Sequence, residues 1–135
     1  MPLYATNGTG DIPHATAFWG PILQSLGPAA LPEPGDGWAD WGKDHDIGFG
    51  LYLCPPFDGK EAHAGTGGSF GFAARDAAQV RDLYALALRN GGTDAGRPGI
   101  RDHYTPDFHV AYVRAPDGHK LAFVFYYHDP TQDNE

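Results

Sequence analysis

Two hydrophobic periods alternate along the chain. Val80, Leu83, Tyr84, Ala87 and Leu88 recur at three- and four-residue spacing, the mark of a helix with one apolar stripe. Asp76 is a good N-cap for it, and Gly91 suits the left-handed position beyond its last turn. Ile12, Ala15, Trp19, Ile22, Leu23 and Leu26 form a similar stripe in the first half. Gly20-Pro21 lies inside that stripe, and proline removes a helical hydrogen bond and crowds the preceding turn, so a kink or break is expected there.

The other period is that of strands. Residues 3–6 precede the first helix and residues 69–73 the second, and further strands follow each helix. In the first half these are residues 38–41 and 47–53, separated by the turn-prone Gly42-Lys43-Asp44. In the second half they are residues 93–96, 108–114 and 120–126. Ala115-Pro116-Asp117-Gly118 between the last two carries the Asp-Gly signal of a tight hairpin.

The order strand, helix, strands therefore occurs twice, and the residues themselves repeat. A single offset of 65 positions pairs Asp11 with Asp76, Ala15 with Val80, Phe18 with Leu83, Trp19 with Tyr84, Leu23 with Leu88 and Gly27 with Gly92. Residues 55–68, rich in proline and glycine, separate the halves, and residues 27–37 and 97–107 are shorter breaks of the same kind. The division is one domain with a first module at about 1–55, a linker at about 56–66, a second module at about 67–127 and a polar tail at 128–135.

Composition narrows the function classes. At 135 residues with 41 % apolar content, the chain suits one domain with a substantial core. Nine Lys and Arg against seventeen Asp and Glu give a net charge of −8, which repels phosphate backbones and argues against a nucleic-acid partner. The longest apolar runs are of strand length, far below the roughly 18 residues that cross a bilayer. The start, Met1-Pro2-Leu3-Tyr4, shows neither a basic leader nor an apolar stretch of signal length, and a cytoplasmic location is the expectation. Cys54 is the single cysteine, which excludes an intrachain disulfide and a thiolate cluster.

The duplicated pattern resembles the vicinal oxygen chelate superfamily of glyoxalase I, bleomycin-resistance proteins, fosfomycin-modifying enzymes and extradiol dioxygenases. The likeness rests on Asp11 with Ala17-Phe18-Trp19, on Pro55-Pro56-Phe57-Asp58-Gly59, on residues 67–74, on Gly91-Gly92-Thr93-Asp94, and on residues 111–120. It spans nearly the whole chain and implies an α+β fold of two βαβββ modules in tandem, each curling into half of an open cup, the glyoxalase/bleomycin-resistance fold. It also implies a homodimer. Metal-bearing members place His, Gln or Glu early in the first strand and in the last strand of each module. Those four positions fall here on Tyr4, Tyr52, Ser69 and Ala122, and within two residues of them the only strong donor is Cys54. A divalent ion needs three or four N, O or S donors at about 2.0–2.3 Å, so no metal cofactor is expected at the usual place.

The seven histidines divide by context. His14 lies on the first turn of a helix, His45 and His63 in loops and His128 in the tail, and surface roles suit all four. His119, after the Asp-Gly turn, is expected to be a solvated hairpin residue. Arg101, His103, Tyr104, Asp107 and His109 cluster in a proline-bounded loop entering a strand, where they suit either a polar small molecule or the loop's own hydrogen bonds. Of the aromatics Trp38, Trp41, Phe49 and Tyr52, Tyr52 is the candidate cavity wall. Gly65-Thr66-Gly67-Gly68 lacks the lysine and following helix of a phosphate loop, and Gly8-Thr9-Gly10 is too short for a dinucleotide fingerprint.

The first reading is a small-molecule binding protein whose metal-free cavity is lined by Tyr4, Tyr52, Ser69, Arg101, His103, Tyr104 and His109. The second is a metal-dependent lyase of the glyoxalase I kind or an extradiol dioxygenase-like enzyme, with a relocated site drawing on His103, His109 or Cys54. The third is a metal-free acid-base enzyme using His103 or His109.

Overall fold

A computed structural model describes residues 4–27, 29–30, 39–42, 50–62, 67–100 and 109–125. Strand β1 (Tyr4–Gly8) leads into helix α1 (Ile12–Leu26), followed by β2 (Ala29–Ala30), β3 (Ala39–Gly42) and β4 (Gly50–Cys54). The second module repeats the order with β5 (Ser69–Ala73), α2 (Ala77–Arg89), β6 (Thr93–Ile100), β7 (His109–Arg114) and β8 (Lys120–Phe125). The sheets run β1-β4-β3-β2 and β5-β8-β7-β6, with β1 parallel to β4 and β5 parallel to β8 and the other pairs antiparallel. The mixed α+β architecture of two βαβββ units is that of the glyoxalase/bleomycin-resistance fold.

Both helices start on aspartates, Asp76 as expected and Asp11 at the matching place of the repeat. The Asp11 carboxylate accepts from the His14 N–H at 3.0 Å and that of Asp76 from the Gln79 N–H at 2.7 Å, each satisfying one of the unpaired donors of a first turn. Gly27 and Gly91 follow the helices with φ of 121° and 97°. Of the kink or break expected at Gly20-Pro21, the break does not occur, and α1 runs unbroken through Pro21. Phe18, Trp19, Ile22 and Leu23 are all fully or nearly fully buried on either side of the proline, so tertiary packing holds both turns despite the missing hydrogen bond.

Strand ends differ modestly from the sequence pattern. β2 was not expected; two alanines become a strand only because Ala29 and Ala30 pair with Gly42 and Trp41. β6 extends through Arg97-Pro98-Gly99 to Ile100, beyond the expected residue 96, with two register irregularities along the way. These are the places where proline and glycine interrupt the ladder without ending it. The hairpin turns as expected, with the Gly118 N–H donating to the Ala115 carbonyl at 2.8 Å and Gly118 at φ 96°.

One core serves both modules. It joins Phe18, Trp19, Ile22 and Leu23 of α1 to Trp41, Leu51 and Leu53 of the first sheet, and to Val80, Leu83, Ala111, Val113, Leu121 and Phe123 of the second module. The Trp19 indole meets Phe18 edge-on at 5.8 Å, and Phe70 and Phe72 of β5 edge-on at 6.3 and 6.4 Å. Helix α1 thus sits between the modules, whereas α2 covers one sheet only. Two polar contacts add to this seam. The Gln79 side chain donates to the Ser25 carbonyl at 3.2 Å, and the Gly8 carbonyl lies 3.0 Å from the His119 Nε2. His119 is therefore a partly buried bridge between modules rather than a solvated hairpin residue. No described helix is long and apolar enough to cross a membrane.

Candidate functional site

Strand alternation decides which side chains reach the sheet face left bare by the helices. In the second sheet Leu121, Phe123, Ala111 and Val113 face the helices and are buried. The alternate positions therefore line the other face in three cross-strand rows. Ser69, Lys120, Arg114 and Thr93 form the first; Gly71, Ala122, Tyr112 and Gly96 the second; Ala73, Val124, Val110 and Gly99 the third.

The chemistry changes from row to row. The third row and Ala122 form a small apolar cluster in which Val110 and Ala122 are buried and Tyr112 and Val124 pack against them. Ser69, Gly71 and Ala73 of β5 are exposed, and a side chain added at Gly71 would meet nothing within 4 Å, so the face opens onto free space there. In the first row the Lys120 ammonium stands 4.6 Å from the centre of the Tyr112 ring, and the Arg114 guanidinium donates to the Gly118 carbonyl at 3.0 Å.

In the first sheet, register pairs Tyr4 with Gly50, and Tyr52 with Thr6 and Asp40. Tyr52 is half-buried and its ring folds back over Gly50, whose added Cβ would lie 3.0 Å from the ring's Cε1. Gly50 is thus the space the phenol occupies. Cys54 is buried, with its thiol 3.8 Å from the Asn7 carbonyl.

Of the four positions where metal-bearing relatives carry ligands, register places Tyr52 on the helix-free face of one sheet and Ser69 and Ala122 on that of the other, and the backbone of Tyr4 pairs with Gly50. They do not fit a divalent ion. Ala122 offers a methyl group within an apolar cluster, Ser69 a neutral hydroxyl and Tyr52 a phenol packed on its own strand. Among the described residues no group of three His, Cys, Asp or Glu comes together.

The other sequence candidates divide. His109 is buried at 6 % exposure and pairs with Phe125 on the helix side of β7, not with Ser69 and Ala122. That follows from parity, since Ala111 and Val113 on the same side face the core. Arg101, His103, Tyr104 and Asp107 lie outside the described residues, as do His45, His63 and His128. Sequence reasoning missed Tyr112, Arg114 and Lys120, although their two-residue spacing from Val110 and Ala122 was the available signal. Clefts of about 360 and 420 Å³ lie at the junction of the helices, both lined by Ser25, Arg75 and Gln79. None of the residues in the three rows except Ala73 borders them.

No protein-family model and no curated protein matches the sequence. Solved structures do match. A glyoxalase/bleomycin resistance protein from Albidiferax ferrireducens T118 is 26 % identical with a TM-score of 0.77, over 90 % of this chain and 95 % of that one. A glyoxalase-related enzyme from Fulvimarina pelagi is 20 % identical with a TM-score of 0.72, over 96 % and 88 %. A glyoxalase/bleomycin resistance protein/dioxygenase family enzyme from Burkholderia phytofirmans PsJN is 14 % identical with a TM-score of 0.69, over 91 % and 96 %.

Proposed function

We propose that this chain, a member of the vicinal oxygen chelate superfamily by its fold, binds a small organic molecule between its modules without a metal ion. The observation that carries this reading is the helix-free face of the second sheet. Where metal-bearing relatives present ion ligands it presents Ser69 and Ala122, and beside them an apolar and aromatic surface of the half-buried Tyr112 and Val124 packed on the buried Val110. Such a surface suits the apolar body of an organic ligand, with a few polar groups to fix its orientation. Tyr4 and Tyr52 belong to the first module's share of the cavity, and the homodimer of the family is part of the same reading.

The test is metal retention alongside ligand response. The protein is incubated with Zn, Ni, Fe(II) or Mn, freed of excess ion and assayed by mass spectrometry, with melting measured with and without chelator. The expected result is substoichiometric metal and an unchanged melting temperature, with a rise in melting temperature from members of a small-molecule panel. Stoichiometric retention of one ion, lost together with stability on chelation, overturns the metal-free reading.

A further inference from the structure

The first cross-strand row puts two cations side by side. Arg114 and Lys120 are directly opposed on β7 and β8, an arrangement in which like charges repel. The chain as a whole carries −8, so the pair is not a sample of a basic surface. Neither cation has a carboxylate within 4 Å among the described residues, where Arg75 with Asp76 is the ion pair observed. Their row neighbours Ser69 and Thr93 are neutral, and Asp94, the next residue of β6, pairs with Val113 and takes the Tyr84 hydroxyl on the other side of the sheet. Lys120 is half-buried, so its ammonium is held against the Tyr112 ring rather than extended into water.

We propose that Arg114 and Lys120 fix the anionic end of the ligand, which is a flat apolar molecule bearing a carboxylate. The inference rests on the binding reading above and names the ligand class for the same face. Lys120 adjoins the Ser69 and Ala122 positions, so fixed side-chain charge stands close to where relatives hold that of an ion. An anion between the two cations relieves their repulsion, and charge-assisted hydrogen bonds to a carboxylate are the strong ones. The rest of the face then receives the ligand body. From Lys120 to Val124 the strand rises four residues, about 13 Å at ~3.3 Å each, longer than two fused rings, and the open space lies alongside it over the exposed Gly71 and Ala73 of β5.

The probes are 2-naphthoate and its neutral counterpart 2-naphthalenemethanol, titrated calorimetrically into the full chain. Naphthoate is expected to bind at least about tenfold more tightly than the alcohol. Lys120→Met, which keeps the stem over Tyr112, should remove most of that preference, whereas Lys120→Arg should keep it. Arg114→Gln, at an exposed position, gives a second reading of the same loss if Lys120→Met does not fold. Equal binding of the two probes by the unaltered chain overturns the anion inference and leaves the binding reading standing. A naphthoate preference that survives both neutralising substitutions together also overturns it. Failure of both probes to bind overturns the inference, while the binding reading stands or falls on the panel described above.

Discussion

The Nε2 of His119 lies 3.0 Å from the carbonyl oxygen of Gly8, 111 residues earlier in the chain. A carbonyl can only accept, so the imidazole carries its proton on Nε2 and donates. This contact ties the start of β8 to the end of β1 and so links the two modules. His119→Ala should cost about 1 kcal/mol, the usual net worth of one hydrogen bond, and lower the melting temperature by a few degrees. A thermal melt checks it, and an unchanged midpoint would mean that the bridge contributes nothing in solution.

Trp19 couples the modules more strongly. It is fully buried and packs its indole on Phe70 and Phe72 of the other module. Trp19→Ala should cost about 3–5 kcal/mol, the range for removing a large buried aromatic. Because one core spans both halves, urea unfolding followed by far-ultraviolet circular dichroism should remain a single transition moved to lower urea. Two separated transitions in the unaltered protein would contradict a shared core.

Gly92 follows α2 where there is no space for a side chain. An added Cβ would lie 2.7 Å from Phe18 Cε1, 2.9 Å from the Ala87 carbonyl oxygen and 3.1 Å from the Arg114 carbonyl oxygen. Two of these are backbone atoms, which cannot rotate away. Gly92→Ala should therefore destabilise by about 1–3 kcal/mol, whereas Gly71→Ala, facing open space, should be close to neutral. Denaturation midpoints of the two variants measured side by side decide this.

The Tyr84 hydroxyl donates to the Asp94 carboxylate at 2.9 Å, linking α2 to β6. Partial burial, and then this hydrogen bond and the negative charge of Asp94, raise its pKa above the ordinary 10.0. The folded state thus favours the protonated phenol. The resulting stability is fully present below pH 10 and is lost as pH rises through the raised value. Stability should fall more steeply above pH 10 in the unaltered protein than in Tyr84→Phe, as read from denaturation at several alkaline pH values. Parallel curves would show that the phenol is not linked to folding.

Local sequence was enough for both helices, for every strand but β2, and for the repetition. Asp11 and Asp76 cap their helices through the residue three positions on, and Gly118 closes its hairpin, because each acts on its immediate neighbours. The candidate face was only partly legible. Ser69 and Ala122 lie on the helix-free side of the second sheet, but the row of Lys120 and Arg114 exists only once β7 and β8 are paired in register. His109 shows the converse. Its polar neighbourhood in sequence suggested a cavity, while its parity with Ala111 and Val113 turns it to the core side.

Leu23 and Leu88 occupy the same place in the repeat, yet Leu23 is 2 % exposed and Leu88 37 %. Hydrophobic spacing determined that each is on a helix and on its apolar stripe. Tertiary structure alone decided that the first helix is wedged between two sheets and the second covers only one. The reason is physical: periodicity is set by backbone geometry within a few residues, whereas burial depends on which distant surface arrives to exclude water.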